Sequence, residues 1–196
     1  NNTISQDQTF TITDATPPAL TGGADSASES TGTDPSLNAA YIAWRNNYAG
    51  ITASDIFGNV TMSYTEGQWV TTGCSNSIIV TFTATDDCGL TSNQDQTFTI
   101  EDTTPPVLTV PADAVVECTS DYSSAATGMA TGSDTCGEVV ITESDASVAG
   151  CGNSMVITRT WTATDACGNI ATADQVITVE DTTPPVLTVP ADAVVE

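Results

Sequence analysis

Histidine and lysine are absent from the 196 residues, and the two basic side chains, Arg45 and Arg159, stand against 25 acidic ones. That gap removes whole classes of chemistry: Ser-His-Asp and Cys-His nucleophiles, Schiff-base lysines, phosphate-gripping lysines and histidine metal sites all need residue types the chain lacks. No run of about 18 apolar residues occurs, so no segment reads as a membrane-spanning helix. A net charge of −23 turns the chain away from nucleic acid and anionic membrane surfaces, since both are bound through Lys and Arg. The same charge opposes compaction unless salt or cations screen it. The six cysteines are widely spaced and have no histidines beside them, which predicts disulfides in an oxidising compartment rather than zinc ligation.

What the chain does contain is repetition. EDTTPPVLTVPADAVVE occurs at Glu101–Glu117 and again at Glu180–Glu196, an offset of 79 residues. The same offset maps Thr83–Gly89 (TATDDCG) onto Thr162–Gly168 (TATDACG), and an offset of 88 maps Gln6–Ile12 (QDQTFTI) onto Gln94–Ile100. These offsets predict the last strand of one repeat (1–14), repeat 1 (15–102), repeat 2 (103–181) and the first strand of a further repeat (182–196). A unit of this size holds one small core and benefits from disulfides or metals.

Within each repeat apolar residues alternate with threonine, the period of a half-buried strand. Val80, Phe82 and Ala84 share one face, as do Phe98 and Ile100, Trp161 and Ala163, and Ile177 and Val179. Threonine-rich strands broken by Gly, Asp and Pro predict an all-β chain of tandem immunoglobulin-like sandwiches. Repeat 1 carries a net insertion in which Leu37, Tyr41, Trp44 and Tyr48 recur at helical spacing, predicting one short inserted helix at about 36–48. Its rings either cap the open end of the sandwich or, with Trp69, form a stacking platform for carbohydrate.

Tracing the strands up and down predicts where the cysteines and acids fall. Ser154–Thr164 reads as one strand whose ends lie roughly 30 Å apart, so Cys151 and Cys167 are at opposite poles. This favours the pairs Cys136–Cys167 and Cys118–Cys151, leaving Cys74 and Cys88 as free thiols. A competing argument gives Cys118–Cys136, Cys151–Cys167 and Cys74–Cys88, because Ser30 and Phe57 replace the first two of these cysteines together in repeat 1. The same tracing gathers Asp102, Asp134 and Asp165 at one repeat boundary and Asp14, Asp55 and Asp86, with Asp87 nearby, at another, as candidate calcium ligands. The ordinary alternative is that each aspartate bonds the backbone of its own turn.

With DTTPPVLTVPADAVVE, the TATDxCG strand end and the closing QDQTFTIED strand, the chain resembles the HYR-like immunoglobulin-type repeats of giant Bacteroidota surface proteins, among them the mobile gliding adhesins of flavobacteria. The resemblance implies an extracellular array exported by the type IX route, whose partners are its own neighbouring repeats and, through a distal tip, glycans or surfaces. Asp-Ser/Thr-apolar motifs of the kind O-glycosylated in Bacteroidota place candidate glycans on Thr103, Thr182 and Ser26. The functional expectation is a stalk or filament segment of an adhesin. Alternatives are a self-assembling fibre completed by strand addition and a carbohydrate-binding module. A carboxylate-pair glycosidase is disfavoured because most of the acids sit in turns shared by both repeats.

Overall fold

The computed structural model describes residues 6–189. The predicted terminal half-repeats therefore lie partly outside the described residues, and within 6–14 and 182–189 no strand forms. The chain divides into two units, Asn1–Thr103 and Thr104–Glu196.

Unit 1 contains β1 (Ala19–Gly22), β2 (Ser26–Glu29), β3 (Ile51–Ser54), β4 (Val60–Glu66), β5 (Val70–Thr72), β6 (Ser75–Asp86) and β7 (Thr91–Glu101). β1 pairs with β3 in a small sheet, while β2, β7, β6 and β4 form the larger one, to which β5 adds by pairing with β6. Unit 2 contains β8 (Val107–Thr109), β9 (Ala114–Glu117), β10 (Thr131–Ser133), β11 (Val140–Ala149), β12 (Met155–Thr164) and β13 (Ile170–Glu180). The plan repeats: β8 pairs with β10, and the larger sheet runs β11-β12-β13-β9. In both units the neighbour of the last strand is parallel to it, β2 against β7 and β9 against β13. All other pairings are antiparallel.

An aspartate one residue ahead of each parallel edge strand's start, or close to it, pins the register. Asp25 Oδ1 accepts from the Thr97 amide at 2.7 Å, and Asp113 Oδ1 accepts from the Val176 amide at 2.8 Å. Such bonds satisfy strand amides that the short edge strand does not reach.

The alternation is realised in burial. Val80, Phe82, Ala84, Phe98 and Ile100 are buried in unit 1, and Trp161, Ala163, Ile177 and Val179 in unit 2, while the intervening threonines keep partial exposure. The insertion forms α1 (Ala39–Asn46), with a 3-10 turn on either side at Pro35–Leu37 and Tyr48–Gly50. The Asn38 side chain caps α1 by accepting from the Tyr41 amide at 3.0 Å, as N-cap residues do. Repeat 1 is not alone in this respect: unit 2 places α2 (Ser124–Thr127) between β9 and β10, where α1 lies between β2 and β3. The insertion enlarges a helical connection both repeats possess.

Candidate functional site

The four candidate rings lie in the core of unit 1. Tyr41 is 0% exposed, and Trp44, Tyr48 and Trp69 pack partly buried against the cluster that also holds Phe82 and Phe98. Tyr41 meets Trp69 edge-on at 5.0 Å and Phe98 at 5.4 Å, while Trp44 meets Phe82 at 5.7 Å. Two of the polar ends are also spent, with Trp44 Nε1 donating to the Ala24 carbonyl at 3.0 Å and Tyr48 Oη to the Met62 carbonyl at 3.2 Å. A sugar needs an exposed ring face, and these rings instead pack on the core of the sheet, Tyr41 and Trp44 from α1 and Trp69 from the β4–β5 connection.

Both arginines are committed inside their units. Arg45 pairs with Glu66 and lies over the rings of Tyr41 and Tyr64, at 5.4 and 5.2 Å from their centroids. Arg159 is 2% exposed and forks onto Asp145, Nε to Oδ1 and Nη2 to Oδ2, each at 2.8 Å. Its remaining donors reach Thr127 Oγ1 at 3.1 Å and the Tyr122 carbonyl at 3.2 Å. Glu66 and Asp145 occupy equivalent positions 79 residues apart, and their arginines hold both carboxyls below the usual carboxylate range. Arg159 could have been found from its parity, since it shares the inward face with Ile157 and Trp161.

The cysteines correct the favoured pairing. Cys118, Cys136 and Cys151 are free thiols, whereas Cys167 is disulfide-bonded, so neither Cys118–Cys151 nor Cys136–Cys167 forms. Cys118 follows β9 and its amide bonds the Glu180 carbonyl at the end of β13. Cys151 lies in the β11–β12 turn, and β13 separates β9 from β12. Two strand spacings, about 10 Å, exceed the roughly 7 Å a bridge spans. The pole is as traced, since Cys118 and Gly152 line one hollow, but lateral position defeats the pair. At the other pole the loops do meet, with Gly137 so close that a Cβ there would lie 3.2 Å from Ala166 Cβ. That contact belongs to the neighbours of Cys136 and Cys167, not to the cysteines. Cys74, expected as a free thiol, is disulfide-bonded; it sits at the tip of the β5–β6 turn beside Gly73, whose φ of 60° makes that turn tight. Cys88 is free and exposed.

Of the predicted calcium set in unit 1, Asp14 and Asp86 come together and Asp55 does not join them. One carboxylate oxygen from each and Cys88 Sγ all lie within 4.8 Å of one another. Asp86, the last residue of β6, spends Oδ1 on the amides of Cys88 at 2.8 Å and Leu90 at 2.9 Å. Asp14 spends Oδ1 on the Thr16 amide at 3.0 Å. Asp55 Oδ1 closes its own turn on the Phe57 amide at 2.8 Å, and Asp87 Oδ2 accepts from the Asn59 amide at 2.9 Å. Local desolvation, followed by the carboxylates of Asp14, Asp86, Asp87 and Asp55, pushes the Cys88 thiol up. Two ionised carboxylates about 4–5 Å apart repel by about 3–4 kcal/mol at an effective dielectric of 20.

Asp102 is buried at the end of unit 1. In unit 2 Asp134 and Asp165 each close their own turn, Oδ1 accepting from Cys136 at 2.7 Å and from Cys167 at 2.8 Å. The backbone-bonding role expected of these aspartates is thus present at every one of these turns.

The candidate glycan acceptors are engaged. The Thr103 hydroxyl donates to Glu29 Oε2 at 2.6 Å and its amide to Oε1 at 2.8 Å. In unit 2 Glu117 receives the hydroxyl of Thr182, and its amide at 3.2 Å. Hydroxyl first, then amide, lower the Glu117 carboxyl. Ser26 is half-buried in β2 opposite Phe98. Sequence reasoning missed this clamp, although Glu29 and Glu117 already stand in register in the 88-residue offset.

No family model and no curated protein match the chain. Among solved structures it is similar to Drosophila N-cadherin EC1-4, at 12% identity and a TM-score of 0.31, covering 84% of this chain and 50% of that one. It is also similar to human protocadherin-24 EC1-2, at 12% identity and a TM-score of 0.29, covering 69% and 87% of the two chains. Human mucin-like protocadherin EC1-2 gives 12% identity and a TM-score of 0.27, covering 83% and 98%. The chain thus spans half the length of the N-cadherin fragment.

Proposed function

We propose that this chain is a segment of a repetitive extracellular stalk or filament, which spaces an adhesive tip from the surface that bears it. The observation that carries the reading is the duplicated clamp, Glu29 on Thr103 and Glu117 on Thr182. In both repeats the edge strand next to the last strand grips the residue that opens Thr-Thr-Pro-Pro. A tether fixed at one end and followed by two prolines suits a semi-rigid spacer better than a flexible joint, because Pro-rich segments hold extended backbone. With both arginines internally paired, the exposed charge is acidic, which keeps like repeats apart and the array soluble. Attachment, gliding and type IX export belong to this reading through the resemblance of the repeats to HYR-like modules.

Small-angle scattering on fragments of two, four and six repeats tests it. The maximum dimension should rise linearly with repeat number, and growth as the cube root of mass would overturn the proposal.

The second reading is a fibre completed by strand addition, in which an extended segment joins a sheet edge of a neighbouring chain. Concentration-dependent polymerisation of the purified chain would favour the fibre; a persistent monomer favours the stalk.

A further inference from the structure

We propose that Asp14 and Asp86 form a binding site for a hard divalent cation, calcium, within unit 1. Asp86 is 6% exposed, and Oδ2 of both aspartates is sealed from solvent with no hydrogen-bond partner. Their Oδ1 atoms are already committed to backbone amides, so the turn-closing role accounts for one oxygen of each and leaves the other unexplained. A buried carboxylate oxygen without a donor is costly. No side chain of this protein supplies the missing positive charge, since the only two basic residues are tied to Glu66 and Asp145.

In repeat 2 the corresponding oxygen has a side-chain donor. At the equivalent turn Asp165 Oδ2 accepts from Asn169 Nδ2 at 2.9 Å. The residue in that place in repeat 1 is Leu90, which has no side-chain donor. The orphaned Oδ2 of Asp86 thus goes with one sequence difference in an otherwise shared turn.

Calcium suits the donors because it takes carboxylate oxygens and completes its shell with backbone carbonyls and water. Magnesium demands a tighter octahedron. Cys88 Sγ lies within 4.8 Å of both carboxylates, and a soft metal such as cadmium would recruit it, whereas calcium leaves it as a bystander.

Hydrogen exchange read by mass spectrometry, on the whole chain in chelator and then in calcium, reports on this turn without depending on other acidic sites. The amides of Thr16, Cys88 and Leu90, which bond these aspartates, should exchange more slowly with calcium. Asp86→Asn keeps the Oδ1 acceptor and offers a donor towards Asp14, so it should fold in chelator and lose at least about tenfold in calcium-dependent protection. Leu90→Asn, copying repeat 2, should slow exchange in chelator and shrink the calcium response, and it serves if Asp86→Asn does not fold. No calcium effect at these amides in the wild-type chain, or an undiminished effect in both variants, would overturn the proposal. Protection by cadmium but not calcium that disappears in Cys88→Ser would overturn the assignment to a hard cation.

Discussion

Where repeat 1 carries Val80, repeat 2 carries Arg159, 79 residues on, and both are buried in the middle of their sheets. Across the strand from each stands an acid, Glu66 opposite Val80 and Asp145 opposite Arg159. In repeat 1 the arginine for that acid comes from α1, as Arg45, and the rings of α1 fill the space above the sheet. In repeat 2, where the helix shrinks to Ser124–Thr127, the arginine comes from the sheet itself and reaches up to Tyr122 and Thr127 around that helix. One scaffold therefore carries an aromatic layer or a polar network over the same strands, and in both the arginine is matched to the acid across the strand.

Exchanging the two solutions should break this equivalence most severely. Arg159→Val gives repeat 2 the residue of repeat 1 without its helix, leaving Asp145, Thr127 and the Tyr122 carbonyl without their donor. Asp145 is exposed enough to stay hydrated once its partner is gone, so the cost is that of the lost hydrogen bonds and the unsatisfied Tyr122 carbonyl, about 1–3 kcal/mol, confined to repeat 2. Adding Asp145→Val should recover much of the loss, because an apolar replacement of both partners is often neutral. Calorimetry with the repeat 1 transition as internal reference checks both statements; a loss below about 1 kcal/mol for Arg159→Val would mean that the network contributes little.

Alkali should separate the repeats next. Burial, reinforced by the Glu66 carboxylate, pushes Tyr41 up to about 12, from the ordinary value of 10.0. Because the folded value is the higher one, the contribution is complete below about pH 10 and disappears as pH rises towards about 12. A shift of this size corresponds to about 2–3 kcal/mol. Repeat 1 should therefore lose stability in that window, in step with phenolate absorbance. Tyr41→Phe should abolish the step; if the alkaline loss persists in that variant, another group is responsible.

Strand parity made the inner faces legible before any coordinates, since a period of two leaves Phe82, Trp161, Ile177 and their neighbours one side to occupy. Helical spacing located α1 for the same reason. Lateral order was not legible: nothing local in Cys118 or Cys151 says that β13 lies between their strands, and the disulfide assignment failed there. The aspartates were legible as turn closers and as a cluster. The free Oδ2 of Asp86 was not, because it depends on what sits four residues on, Leu90 here and Asn169 after Asp165.

The smallest expected effect concerns the feature the repeats share, the glutamate clamp, and whether Thr103 and Thr182 carry glycans. A glycan on the threonine oxygen removes the hydroxyl proton that is donated to Glu29 or Glu117, so the full clamp and the modification exclude each other. Glu29→Gln and Glu117→Gln keep an acceptor but lose the charge, and at exposed sites such bonds are weak. Exchange at the Thr103 or Thr182 amide should quicken by roughly tenfold or less, with no change elsewhere in the repeat. The Glu117 carboxyl is lowered by these bonds, so the clamp is complete above the ordinary carboxylate range. As the pH falls, wild-type Thr182 should lose protection only below that range, whereas the Gln variant should show no such step. Native protein whose intact mass carries glycan on Thr103 and Thr182, with amide protection unchanged from the unmodified chain, would show that the hydroxyl half of the clamp is dispensable.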